Sequence, residues 1–238
     1  THFNEKLMEV EGFSLSREKV RQILRETGIA AVRQRRGRKY RSRRNRKELY
    51  GMMLQVDGSS HDWLEGRGEK MCLVGAIDDA TSKVPAAFFE EVETSAAYFN
   101  LFDAIFRREG LPMSVYADKH KIFYTDREMS IEEQLANKRP VTQVGRALRD
   151  LGVTLIPAGS PQAKGRIERL WGTFQDRLVS ELRLAGAKNK YEAQQVLNRF
   201  LPEYNRRFSI PVKQTDSAWR PLPESVNLKQ TLCSKMTR

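Results

Sequence analysis

Three carboxylates have the type and setting for phosphoryl chemistry: Asp57, Asp118 and Glu168. Asp57 follows the apolar run Met52-Met53-Leu54-Gln55-Val56, and Asp118 follows Met113-Ser114-Val115-Tyr116-Ala117. Glu168 sits in Ser160-Pro161-Gln162-Ala163-Lys164-Gly165-Arg166-Ile167-Glu168-Arg169, where a helical pattern opens. Two acids at strand ends and one on a helix can converge although they are far apart in sequence. Carboxylate oxygens suit Mg²⁺ or Mn²⁺, which leave positions for water and phosphate oxygens. Two such ions clamp the attacking and leaving oxygens of an in-line displacement. The plain alternative for each acid, taken singly, is a strand-end cap or a helix-surface charge.

The elements that must position these acids follow from hydrophobic periodicity. Strands are predicted over 52–57, 71–78, 84–90, 113–117 and 153–156. The first three have short links, as an antiparallel meander requires, and Asp79-Ala80-Thr81-Ser82 is one of those turns. Asp78 and Asp79 are therefore read as turn residues. A helix capped by Thr94 or Ser95 runs to about Arg108, and Gly110 stops it. Further helices are predicted over 142–151, 162–184 and 190–207. Ile167, Leu170, Trp171, Phe174, Leu178 and Leu182 form the stripe of the long one, so Trp171 and Phe174 are read as core. The polar stretch 124–141, with Asp126, Glu128, Glu132 and Glu133, reads as an insertion: a loop with a short helix and a solvated acidic face. This order gives an α/β fold, a mixed sheet with helices on its faces. Its first and fourth strands would be neighbours, which would bring Asp57 and Asp118 together.

Charge is concentrated rather than spread. Residues 33–47 carry ten basic side chains and no acidic one, and removing them from the formal +12 leaves +2. Such a run repels itself and seeks a polyanion, with salt-sensitive, sequence-independent phosphate contacts. Before it, 3–10 and 16–27 are helical, with Ser16 as N-cap, Val20, Ile23 and Leu24 on one face, and Gly28 at the end. Helix, turn, helix and basic run resemble the second half of a helix-turn-helix module, with Arg17, Lys19, Arg21 and Arg25 towards DNA. A small helical pair with a solvated basic face is the alternative. The two cysteines, Cys72 and Cys233, form neither a CxxC pair nor a cluster with His, which argues against zinc and disulfides. No apolar stretch is long enough to span a membrane. Thr1 opens inside an apparent helix, so the chain is expected to be a fragment of a longer protein.

The segments Leu54-Gln55-Val56-Asp57-Gly58 with His61-Asp62-Trp63, Ala76-Ile77-Asp78-Asp79-Ala80-Thr81, Val115-Tyr116-Ala117-Asp118 and Ser160 through Arg169 resemble the retroviral-integrase-type core of DDE transposases. Tyr204-Asn205-Arg206-Arg207-Phe208 resembles the closing helix of such cores. The His-Asp-Trp motif is most similar to that of the bacterial group termed ISNCY. The resemblance implies a ribonuclease-H-like, five-stranded mixed sheet flanked by helices, preceded by a partial helix-turn-helix and a basic linker. The expected divisions are 1–32 (helix-turn-helix), 33–50 (linker), 51–208 (catalytic core) and 209–238 (linker or tail). Forty-nine residues separate Asp118 from Glu168, more than such cores usually have, and the insertion at 124–141 accounts for the surplus.

By the same resemblance, Asp57 would bridge two Mg²⁺ ions, with Mn²⁺ able to substitute, while Asp118 held one and Glu168 the other. The reaction implied is 3′-end cleavage of a mobile element and strand transfer into target DNA. Partners would be double-stranded DNA, as element ends and target, and further copies of the chain; the setting would be the bacterial cytoplasm, at the nucleoid. DNA contacts are expected from Lys164, Arg166, Arg36, Arg38, Lys39, Arg41, Arg43, Arg44, Arg17 and Arg21. For Lys164 the alternative is a surface pair with Glu168. His61, Trp63 and His120 are accessory candidates, with structural packing the equal alternative. Two other functions stay open: a metal-dependent nuclease that does not join, and a DNA-binding regulator without chemistry.

Overall fold

The computed structural model describes residues 2–29, 44–129, 131–135, 140–159, 164–212 and 214–235. The chain divides into two compact units, Thr1–Ser42 and Arg43–Arg238. In the first, α1 (His2–Glu11) and α2 (Arg17–Glu26) are joined by a short turn. Ser16 caps α2 by accepting from the Lys19 amide at 3.2 Å. Gly28, at φ +72°, closes it: the Gly28 and Ile29 amides return to Arg25 and Leu24 carbonyls at 3.0 and 2.8 Å. Val20 is buried but Ile23 is exposed, so the inward face is narrower than the spacing suggested.

The second unit is built on five strands: β1 (Leu54–His61), β2 (Met71–Asp78), β3 (Ala87–Glu90), β4 (Ser114–Ala117) and β5 (Thr154–Pro157). Their order is β3-β2-β1-β4-β5. The first three pair antiparallel, and β4 joins β1 and β5 in parallel. This is the mixed five-stranded sheet that the pattern predicts. The third ladder is shorter than expected. Pro85 has no N–H to donate, and the Val84 amide donates instead to Asn205 Oδ1 at 2.8 Å.

Alternation sorts β2 between two cores. Cys72, Val74 and Ala76 face α3 (Ser95–Glu109) and α5 (Gln143–Asp150), whereas Met71, Leu73 and Ile77 face α6 (Gly165–Leu184) and α7 (Lys190–Phe208). Burial on both faces explains why β2 reads as an unbroken apolar run. Tyr98, Phe102, Ile105 and Phe106 of α3 are fully buried, each aliphatic or aromatic group of this size contributing roughly 1.5–3 kcal/mol. Thr94 caps α3 through the Ala97 amide at 3.2 Å. The insertion holds the short α4 (Ile131–Leu135); the side chains of Glu132 and Glu133, expected on a solvated face, lie outside the described residues.

Residues expected to be a linker or tail after 208 instead return to the sheet. Trp219, Leu222 and Val226 pack against the α3 side with Leu228 and Leu232, around α8 (Leu228–Thr231). Leu111 and Arg220 exchange backbone hydrogen bonds of 2.8 and 2.9 Å. Two glycines admit this segment. A Cβ on Gly51 (φ +87°) would lie 2.6 Å from the Trp219 ring, and one on Gly110 (φ +95°) 2.4 Å from the Arg220 carbonyl oxygen.

Candidate active site

Asp57 is not at a strand tip, as its sequence setting suggested. β1 continues to His61, and it is β4 that ends, at Ala117. The parallel register pairs Leu54 with Val115 and Gln55 with Tyr116. Carried two residues further, it sets Asp57 beside Asp118, on the sheet face that Gln55 also uses. One cation joins the two acids. Lys164 Nζ lies 2.6 Å from Asp57 Oδ1 and 3.3 Å from Asp118 Oδ2. Lys164 is only 8% exposed, so it is not a surface lysine, and its ion-pair partners are Asp57 and Asp118. Trp171 Nε1 donates to Asp57 Oδ2 at 3.1 Å. Gly75 is the β2 residue opposite Asp57, and a Cβ there would lie 3.0 Å from Trp171 Cη2. The absence of a side chain at 75 thus makes room for the indole that holds the aspartate.

Burial raises the Asp57 pKa, and the Asp118 charge adds to this, against the opposing pull of Lys164 and Trp171. Burial works against the Lys164 charge, but Asp57 first and Asp118 second outweigh it, and its pKa rises. The site therefore holds two oxygen donors focused on a single positive atom. That donor set fits a hard divalent cation, which carboxylate oxygens prefer. Among the described residues, no three His, Cys, Asp or Glu side chains form a group that could hold a metal ion. Glu168 lies in the first turn of α6, exposed, four residues after Lys164 and three before Trp171. By helical spacing Glu168 and Trp171 share one side of the first turns of α6.

The start of α6 has no side-chain cap of its own. Gln55, two residues before Asp57, supplies one from the sheet: its Oε1 accepts from the Ile167 amide at 3.3 Å. Its Nε2 donates to Asp79 Oδ1 at 2.8 Å. Asp79 is fully buried and also accepts from Arg166 Nη1 at 2.9 Å, from Arg44 and from the Lys47 amide at 2.8 Å. Of the residues expected to contact DNA, Arg166 and Arg44 thus have their guanidiniums engaged by Asp79 within this unit. Burial is the main force lowering the Arg166 pKa, with the Arg44, Arg46 and Arg169 charges, against Asp79.

Trp63 takes the packing alternative: it is fully buried among the α6–α7 core residues and donates to the Ser59 carbonyl at 3.1 Å. His61 is exposed, edge-on to Trp63. His120 is exposed too and reaches Asp118 through its backbone amide, 3.0 Å from Oδ1. Arg17 and Arg21 are exposed on α2, where Arg21 pairs with Glu18. Arg36, Arg38, Lys39, Arg41 and Arg43 lie outside the described residues. Sequence reasoning missed Gln55, Gly75 and the reach of Asp79. The one signal available was a glycine and a buried amide inside strands flanking a candidate acid.

No protein-family model matches the chain. Its sequence is 37% identical over 235 residues, 98% of the chain, to y4bF of Sinorhizobium fredii (strain NBRC 101917 / NGR234), named as a transposase. It is 30% identical, over 95% of the chain, to the transposase for insertion sequence IS1202 of Streptococcus pneumoniae. The chain spans 50% and 55% of these relatives, about half their length. Among solved structures, the simian T-cell lymphotropic virus intasome in complex with PP2A regulatory subunit B56 gamma contains a chain matching 80% of this one. The match covers 64% of that chain, at a TM-score of 0.53 and 16% identity. The ribonuclease-H-like, integrase-type sheet and helices are thus shared.

Proposed function

From the premise that this chain is kin to insertion-sequence transposases along almost its whole length, we propose that it is the DNA-transfer portion of one, cleaving element ends and joining them to target DNA. The observation that supports this reading is the convergence of Asp57 and Asp118 on one cationic atom, Lys164 Nζ; Glu168, in the first turn of the helix that follows Lys164, is the third acid by helical spacing. Divalent cation, Mg²⁺ with Mn²⁺ able to substitute, would be held by Asp57 and Asp118, with Glu168 added from α6. When bound it supplies charge for a phosphodiester oxygen and an activated nucleophile, and two ions serve both oxygens of the displacement.

The chain's own residues do the rest. Trp171 fixes one oxygen of Asp57 and leaves the other towards the site. Lys164 is built to hand its charge from the carboxylates to a DNA phosphate as cation arrives, since an ammonium and a metal ion compete for the same oxygens. The helical pair with Arg17 and Arg21 and the basic run from Arg33 to Arg43 would hold the duplex. Further copies of the chain would pair the two ends, in the nucleoid of a bacterial cytoplasm. Among the described residues no helix is long and apolar enough to cross a membrane.

The test uses oligonucleotides bearing the element's own end, with Mg²⁺ and a plasmid target. Asp57→Asn, Asp118→Asn and Glu168→Gln should each lower cleavage and joining by at least about a thousandfold while end binding stays within a few-fold. Ordinary turnover by any of the three would remove that residue from the site. Cut ends that never join would identify a nuclease.

A further inference from the structure

Asp79 lies among the twin acids at the end of β2, where local sequence reads only a turn. A turn residue needs one or two local hydrogen bonds, but Asp79 Oδ1 gathers Gln55, Arg166 and Arg44 from three separate segments, and Oδ2 takes the Lys47 amide. Its backbone is fixed as well, by the Met53 carbonyl at 3.0 Å on one side and Arg46 Nη1 at 3.1 Å on the other. Asp78 does the turn work, accepting from Thr81 N and Thr81 Oγ1 at 2.8 and 2.7 Å, and also holds the Gly51 amide at 3.0 Å. The second acid is therefore free for a different task.

Two of its partners lead straight to the site. Gln55 relays from Asp79 to the Ile167 amide, one of the N–H groups that open α6 and have no intrahelical acceptor. Arg166 ties the same helical turn to Asp79 directly. A helix start normally relies on a local Ser, Thr, Asp or Asn, and α6 begins at Lys164 without one. The adjacent residues are those that matter: Lys164 and Trp171 touch Asp57, and Glu168 stands between them. The Arg166 Nη2 bond to the Arg44 carbonyl, 3.1 Å, adds residues 44–47 to the same anchor.

We propose that Asp79 is a positioning residue for the transfer site: with Gln55 it forms a tertiary N-cap that sets the first turn of α6, and with it Lys164 and Glu168, against Asp57. The same carboxylate anchors residues 44–47, so the end of the basic run is registered to the helix that carries the third acid. This rests on the transfer reading for its purpose, and on the hydrogen bonds alone for its mechanism.

Two measurements separate those supports. In amide hydrogen exchange on the full chain, Asp79→Asn and Arg166→Gln should each speed exchange over 165–171 by about tenfold or more, with α3 unchanged. In joining of a pre-cut end, both should lower kcat by roughly ten- to a hundredfold and leave KM for DNA within about twofold, because geometry rather than binding is lost. Arg166→Lys, which keeps a charged donor for Asp79, should recover most of the rate. If Asp79→Asn does not fold, Arg166→Gln decides alone. Unchanged exchange over 165–171, or faster exchange spread evenly over sheet and helices, would overturn the proposal. An inactive parent chain would count against the transfer reading, and the exchange result would still decide the cap.

Discussion

Lys164 is where the chemistry of single residues is most exposed to test. Two carboxylates side by side repel, and the ammonium between them offsets that cost in the absence of another cation. Lys164→Met keeps the stem and removes the charge. In metal-free buffer the variant should be less stable by about 1–3 kcal/mol, below the range for a fully buried pair because Asp118 is 43% exposed. Added Ca²⁺ or Mn²⁺ should then raise its melting temperature more than that of the parent, since the ion no longer has to displace an ammonium. Equal shifts in both proteins would mean that Nζ and metal do not share oxygens. Asp57 and Asp118 stand out in the sequence because each breaks an apolar run, although only Asp118 lies at a strand end and Asp57 is mid-strand. Asp79 was not, since its partners Arg44, Gln55 and Arg166 lie up to 87 residues away and nothing local records them. Trp171 was read as core from its spacing, which is half of its role. The indole is buried, but the direction of its N–H cannot be taken from periodicity.

At the scale of elements, the sheet and its helices are readable because hydrophobic period distinguishes them; link length gives the neighbours of the first three strands, but not the pairing of β1 with β4. The contacts between elements were less so. Gly75 shows why: a glycine in a central strand weakens it locally, and only the seated Trp171 explains it. Gly75→Val would drive its side chain into Trp171 Cη2 and the Ala87 methyl. The expected cost is about 1–3 kcal/mol, with a red-shifted tryptophan emission and slower joining, and retention of both would show that the indole does not need this space. The docking of the segment after 208 is hidden from local sequence for the same reason, since it depends on Gly51 and Gly110, far upstream. A link of another kind joins the β1–β2 connection to α6. Hydrogen bonds from Arg183 first, then Arg67, hold the Glu65 carboxyl near pH 2, against the ordinary 4.5. A folded pKa below the unfolded one gives stability that is present above pH 4.5 and lost as pH falls towards 2. Glu65→Gln should therefore melt below the parent at pH 7, by a modest margin because the pair is partly solvated, and the two should converge as pH approaches 2. A gap that persists at pH 2 would assign the effect to packing.

For the whole molecule, the arrangement of charge is more telling than its sum. Ten positive side chains fall within 33–47, yet Arg44 and Arg46 are committed to Asp79 and its turn, Arg46 also reaching Ser82 Oγ at 2.8 Å. Residues 44–47 thus hold the core, and on the reading proposed above the DNA-binding duty falls to Arg33 to Arg43. Each phosphate neutralised releases counterions, so log K against log salt steepens by about 0.9 per contact. Replacing Arg33, Arg35, Arg36, Arg38, Lys39, Arg41 and Arg43 with Gln should flatten that slope by up to about 6, leave melting unchanged and weaken binding to any duplex alike. Arg44→Gln should do the reverse, lowering the melting temperature while the slope stays nearly the same. The measurement is duplex binding by fluorescence anisotropy at several salt concentrations beside thermal melting of each variant. If Arg44→Gln flattens the slope as much as any one of the seven, the basic run acts as one continuous DNA-binding arm, and its division at residue 44 is wrong.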